Sequence, residues 1–102
     1  MADGDVKEIA IEELDGFIDE GVVVIDVRED EELDAGMIDG AVHMPLSRFD
    51  EFSDEISQDK PSVFYCRSGR RSLKAAEIAG EWTDQAVYSL AGGYLAYSGE
   101  ND

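Results

Sequence analysis

Cys66-Arg67-Ser68-Gly69-Arg70-Arg71 places a possible nucleophile, a glycine that permits a tight turn and three guanidinium groups within one short stretch. The chemistry open to such a stretch is that of a thiolate or of an anion-binding loop. A lone cysteine is ordinarily a small buried hydrophobe, so its surroundings decide. Upstream lies the apolar run Ser62-Val63-Phe64-Tyr65 after Pro61, and downstream Ser72-Leu73-Lys74-Ala75-Ala76-Glu77-Ile78-Ala79, rich in helix formers. The loop is therefore expected to join a buried strand to a helix N-terminus, where unpaired backbone N–H groups and the positive end of the helix dipole favour negative charge. Free cysteine has a pKa near ~8.5, and a drop of about two units needs on the order of 2.7 kcal/mol of thiolate stabilisation. Helix-terminal amides contribute about 0.3–2 kcal/mol, and neighbouring guanidinium groups are expected to supply the rest.

Charge sharpens the assignment. The 102-residue chain carries 8 Lys+Arg against 25 Asp+Glu, a net charge of −17, and Arg67, Arg70 and Arg71 are three of the eight cations. A cationic island in so acidic a background points to an anion site rather than to an ordinary solvated face. The overall charge argues against nucleic acid and anionic membranes as partners. It also implies strong self-repulsion, which a salt-rich cytoplasm would screen: at ~1 M ionic strength the Debye length is only about 3 Å. Salt adaptation is the expectation, with an ordinary acidic mesophilic domain or one built to meet a basic partner as the alternative.

The elements that must position the loop follow from length and pattern. A chain of this size, with 43% hydrophobic residues, suits one folded domain over 1–102, with a loose polar tail at 98–102. The start, Met1-Ala2-Asp3-Gly4-Asp5, has neither the basic nor the apolar part of a signal peptide, and no run is long enough to span a bilayer. A soluble, cytoplasmic protein is expected, and one cysteine suits a reducing compartment. Val6-Lys7-Glu8-Ile9 alternates like an edge strand; Ile11, Leu14, Phe17 and Ile18 recur at helical spacing as far as Gly21. Val22-Val23-Val24-Ile25 reads as a central strand ending at Asp26-Val27-Arg28, followed by the helix-prone Glu29-Asp30-Glu31-Glu32-Leu33. The glycine-bracketed turn Gly36 to Gly40 leads to a short strand, Ala41-Val42-His43, closed by Pro45. Phe49, Phe52 and Ile56 mark a short helix, Ala86-Val87-Tyr88 a fifth strand, and Tyr94 to Tyr97 a final helical turn after Leu90-Ala91-Gly92-Gly93. Strands alternating with helices predict an α/β fold: a five-stranded, mostly parallel sheet flanked by helices on both faces, with ligands gathered outside the carboxyl ends of the strands.

Four of these stretches together resemble the rhodanese-like family of sulfurtransferases: Asp26-Val27-Arg28-Glu29; Gly36, Ile38, Gly40 and Ala41 running to Pro45; Cys66 to Ser72; and Leu90-Ala91-Gly92-Gly93. The resemblance spans nearly the whole chain. It implies that Cys66 takes the outer sulfur of thiosulfate or of a persulfide, holds it as a persulfide and passes it to cyanide, a thiol or another protein. No cofactor or metal is implied. The resemblance casts Arg67, Ser68, Gly69, Arg70 and Arg71 as the substrate cradle, with Arg71 bracing its end. Asp26 and Arg28 become the floor beneath the loop, and Ser72 a helix-capping support. His43 has no second ligand beside it and reads as a packing residue. The chain departs from the family pattern at Met37, Asp39 and Tyr97, none of which bears on the thiol.

Rival readings differ at single positions. Phosphatases of the same fold place arginine six residues after cysteine, where this chain has Ser72; here arginine comes at five. A disulfide-using reductase lacks its second cysteine. A non-catalytic binding module of this family usually lacks the cysteine altogether, whereas a sulfur-carrier or redox-sensing role would keep it. No coiled-coil pattern or spare apolar helix face demands a second subunit, so a monomer is expected.

Overall fold

The computed structural model describes residues 6–99. The N-terminal pentapeptide and residues 100–102 of the expected tail lie outside the described residues. Among the described residues five strands form one sheet: β1 (Lys7–Ile9), β2 (Val23–Asp26), β3 (Val42–His43), β4 (Ser62–Tyr65) and β5 (Val87–Leu90), in the order β1-β5-β4-β2-β3. Every pairing is parallel. Three α-helices, α1 (Ile11–Asp19), α2 (Arg70–Ala79) and α3 (Gly93–Ser98), and two 3-10 helices, Asp30–Ala35 and Leu46–Glu55, cover it. The expected α/β fold is thus the fold observed.

Strand position follows from burial. All four residues of β4 are buried, as a strand covered on both faces requires. Successive side chains alternate between two apolar clusters, Phe64 and Cys66 on one side and Val63 and Tyr65 on the other. The first cluster packs under α2, through Ala75, Ala76 and Ala79, and under Phe49 of the second 3-10 segment and Ile56 just after it. The second packs against Leu14 and Phe17 of α1 and Tyr94 of α3. Fully burying an aliphatic or aromatic side chain of this kind contributes about 1.5–3 kcal/mol.

Three expectations need adjustment. The Val22–Ile25 strand is interior, but the middle position belongs to β4; β2 is bounded by the two-residue β3. Ile18 is 38% exposed. Four residues after Leu14, it stays within about 40° of the face that Leu14 presents to the sheet, but it stands at the C-terminal end of α1, one residue before the helix stops at Asp19. The segment after Pro45 is a kinked 3-10 element rather than a regular helix, interrupted at Arg48 with φ −126° and ψ 24°. Its aromatics nonetheless pack inward, with Phe49 against Phe64 and Trp82 at centroid distances of 6.0 and 5.3 Å.

Candidate active site

Cys66 follows the last residue of the middle strand, so the sheet itself fixes where its backbone lies. The chain then turns through Arg67, Ser68 and Gly69 before α2 begins at Arg70. Gly69 makes the turn at φ 117°, in the left-handed region that L side chains resist. This conformation aims its N–H back at the Cys66 sulfur, with N to Sγ 3.1 Å.

The loop carbonyls point the other way. Tyr94 N–H donates to the Cys66 carbonyl at 2.8 Å, and Leu95 N–H to that of Arg67 at 3.1 Å. The first amides of α3, which have no intrahelical partners, are thereby satisfied by the loop. Gly93 permits this approach: a Cβ there would stand about 2.6 Å from the Arg67 carbonyl oxygen and closer still to that of Cys66. The turn Leu90-Ala91-Gly92-Gly93 is thus a clamp on the cysteine loop as well as a connection.

The thiol is held below its ordinary pKa. Burial pushes it up, but hydrogen bonds from the Ser72 hydroxyl and from the backbone amides of Ser72, Gly69 and Ser68 outweigh that effect. Ser72 Oγ lies 3.7 Å from Sγ, 3.1 Å from the Gly69 carbonyl oxygen and 2.7 Å from Ser89 Oγ. The chief donors are therefore amides and a hydroxyl, with the expected guanidinium contribution secondary. Cys66 is 1% exposed, while Arg67 and Ser68, which follow it, are exposed.

The three arginines separate. Arg71 forms a two-pronged pair with Glu32, Nη1 to Oε1 2.8 Å and Nη2 to Oε2 2.9 Å, and its charge is felt at Cys66. Glu32 is pulled down to about 2, first by the hydrogen bonds from Arg71; burial opposes the shift and the Glu29 amide adds to it. Neither Arg67 nor Arg70 forms an ion pair among the described residues. Arg70 is exposed. Arg67 lines a cavity of about 320 Å³ together with Arg28, Glu31, Glu32, Asp34 and Tyr94.

Asp26 and Arg28 form a buried pair beside the end of β4, Arg28 Nη2 to Asp26 Oδ2 2.8 Å, with Nε bonded to the same carboxylate. Burial works against the Arg28 charge, but the Asp26 carboxylate raises its pKa above the ordinary value. The remaining guanidinium donors reach the carbonyls of Glu32 and Gly36, and the cation lies 4.3 Å from the Tyr94 ring centroid. One side chain thus joins β2, the first 3-10 helix and α3. His43 donates from Nε2 to the Arg28 carbonyl at 2.7 Å, which ties down the same corner. Of the departures from the family pattern, Tyr97 is 40% exposed and packs beside Tyr94 at a centroid distance of 5.7 Å.

Sequence reasoning missed Glu32, Ser89 and the clamping role of Gly93. Glu32 was one carboxylate among many, and nothing in the chain marks its pairing with a residue 39 positions away. Ser89 lies just past the expected end of the fifth strand. A polar residue between Val87 and Leu90 in an apolar strand was the available signal.

Comparison with known proteins gives a consistent picture. The family model described as "Rhodanese-like domain" matches residues 10–100. A Bacillus subtilis (strain 168) protein, YtwF, provisionally named a sulfurtransferase, is 40% identical over 98 residues, covering 94% of each chain. The thiosulfate sulfurtransferase GlpE of Coxiella burnetii (strain RSA 331 / Henzerling II) is 32% identical over 73 residues, 72% of this chain and 68% of that protein. Among solved structures, the reduced CoADR-RHD protein of Bacillus anthracis superposes with a TM-score of 0.84 at 32% identity, over 91% of this chain and 16% of that one.

Proposed function

Because the chain belongs to the rhodanese-like domain family, we propose that it is a sulfurtransferase that carries sulfane sulfur on Cys66. The Cys66 thiolate attacks the outer sulfur of thiosulfate. A new S–S bond forms, the bond between the two thiosulfate sulfurs breaks, and its electron pair leaves on sulfite. In the second half-reaction an acceptor thiolate or cyanide attacks the terminal sulfur of the persulfide, and the electron pair of the S–S bond returns to Sγ. A persulfide-bearing protein can replace thiosulfate as donor by the same displacement. The name of the Coxiella relative supports thiosulfate as the reagent to try first.

The observation that carries this reading is the Gly69 amide, turned by a left-handed backbone onto Sγ at 3.1 Å. A fixed dipole aimed at the sulfur stabilises negative charge without reorganising during reaction. The spacing that puts Arg71 five residues after Cys66, with Ser72 next, also favours a sulfur-sized loop over a phosphate-sized one. Cys66 is only 1% exposed, so whether the donor's outer sulfur reaches Sγ is what sulfur loading reads. Arg67 and Arg70 are the cations available to the anionic donor, and Arg71 acts through the loop end it anchors.

Intact mass after incubation with thiosulfate tests the reading. One added sulfur atom is expected, removed by cyanide or reductant and absent in Cys66→Ser. Unchanged mass with thiosulfate and with a small-molecule persulfide, in protein shown to be folded, would exclude it. Release of phosphate from an aryl phosphate without a sulfur adduct would replace it with a phosphatase.

A further inference from the structure

Among the buried polar side chains that the mechanism leaves unused, Ser89 is the one hydrogen-bonded to Ser72. We propose that Ser89 is a positioning residue for the sulfur chemistry: its hydroxyl, 2.7 Å from Ser72 Oγ, donates to Ser72 and leaves the Ser72 hydrogen for the Cys66 sulfur. The inference rests on the reading of Cys66 as a sulfur-carrying thiolate and names the group that keeps its hydroxyl donor in place.

The direction of the bond follows from satisfying both hydroxyls. Ser72 and Ser89 are fully buried. Ser72 Oγ is the sole hydrogen-bond partner of Ser89 Oγ among the described residues. Were Ser72 the donor, the Ser89 hydrogen would be buried without an acceptor, at a cost folded proteins avoid. Ser89 therefore donates. Ser72 has a hydrogen of its own and two acceptors for it, the Gly69 carbonyl at 3.1 Å and the sulfur at 3.7 Å.

This arrangement serves both states of the sulfur without moving a heavy atom. In the thiol, S–H donates to Ser72 Oγ, and Ser72 donates to the Gly69 carbonyl. Once the thiol proton has left to water, the Ser72 hydrogen rotates onto the thiolate. The Gly69 carbonyl is not abandoned, because the carbonyl of a helix N-cap residue accepts the first intrahelical bond. The same rotation meets the charge that returns to Sγ when an acceptor takes the terminal sulfur. A hydroxyl that accepts one hydrogen bond donates a stronger one, so Ser89 both orients and strengthens the Ser72 donor. Among charged groups, Arg71 of α2 acts on the sulfur and is itself paired with Glu32, while Asp26 and Arg28 pair with each other at the end of β2.

The rate of Cys66 alkylation by iodoacetamide against pH measures the thiol pKa in the full chain. Ser72→Ala is expected to raise it by about one unit and Ser89→Ala by about half a unit, a roughly three-fold loss of thiolate at pH values below the pKa. Ser89→Thr, which keeps the hydroxyl, should track the unmodified protein. In the Ser72→Ala background, Ser89→Ala should add nothing. A merely structural serine would lower thermal stability and leave the alkylation profile in place. That result, or an undiminished Ser89→Ala shift without Ser72, overturns the proposal. Sulfur loading is read separately by mass: coupled thiol shifts in a protein that never gains sulfur support the hydroxyl pair and count against the proposed function alone.

Discussion

Cys66 shows how a single side chain can be buried and still ready to ionise. Burial alone would keep the thiol neutral, but the Ser72 hydroxyl and three amides face it and reverse the balance. Those amides face inward because the loop carbonyls are held outward by Tyr94 and Leu95. Gly93, at φ 55°, is where that clamp is most sensitive. In Gly93→Ala the new methyl would meet backbone atoms of Cys66 and Arg67, which cannot swing aside. Left-handed strain and overpacking together should destabilise the protein by about 2–4 kcal/mol, read by denaturant unfolding. A midpoint equal to that of the unmodified chain would remove α3 from the account of the loop.

Between elements, the Arg71–Glu32 pair ties α2 and the cysteine loop to the first 3-10 helix, and Arg28 ties that helix to β2 and α3. Glu32 has a folded pKa of about 2, below the ~4.3 of an unfolded glutamate. A depressed carboxyl contributes stability that is fully present above the unfolded value and lost as pH falls through the folded one. Both side chains are about one-third exposed (34% and 30%), so solvent screening limits the contribution at neutral pH to about 1 kcal/mol. Glu32→Gln should therefore be less stable than the unmodified protein by a constant amount above about pH 5, and the gap should close between about pH 4 and 2. Denaturant unfolding across that range checks the sign. A gap that persists unchanged at pH 2 would mean that Glu32 contributes through packing and not through its charge.

For the molecule as a whole, the chain carries a net charge of −17, and the described residues form a body with a radius of gyration of 12.3 Å. Among the described residues Asp26 is the one buried carboxylate; the others face solvent to some degree. At ~0.01 M ionic strength the Debye length is about 30 Å and every carboxylate feels the rest, whereas at ~1 M it is about 3 Å. Raising chloride salt over this range should stabilise the fold by on the order of 1 kcal/mol, a shift of about 4–8 °C in Tm. The second-order rate constant for sulfur loading from thiosulfate should also rise, because screening weakens repulsion of the dianion. A flat or falling rate in folded protein would show that the local cations already dominate the approach.

How much of this was visible in the chain depends on the range of the interaction. The strand before Cys66, the glycine that closes its turn and the helix after it are local, and alternation, helix propensity and the Gly69 position carried them. The order of stretches along the chain was enough to suggest the family, since it needs only spacing. Where packing chose between local options, the pattern alone was insufficient: Ile18 kept helical spacing yet faces solvent, and the segment after Pro45 took 3-10 geometry. By itself the sequence determined a parallel α/β scaffold with one thiol placed at a strand-to-helix turn. The tertiary structure decided which groups face that thiol. Ser89, Glu32 and the α3 amides arrive from elements that one-dimensional periodicity cannot bring together, because hydrogen-bond partners are set by the packing of whole strands and helices.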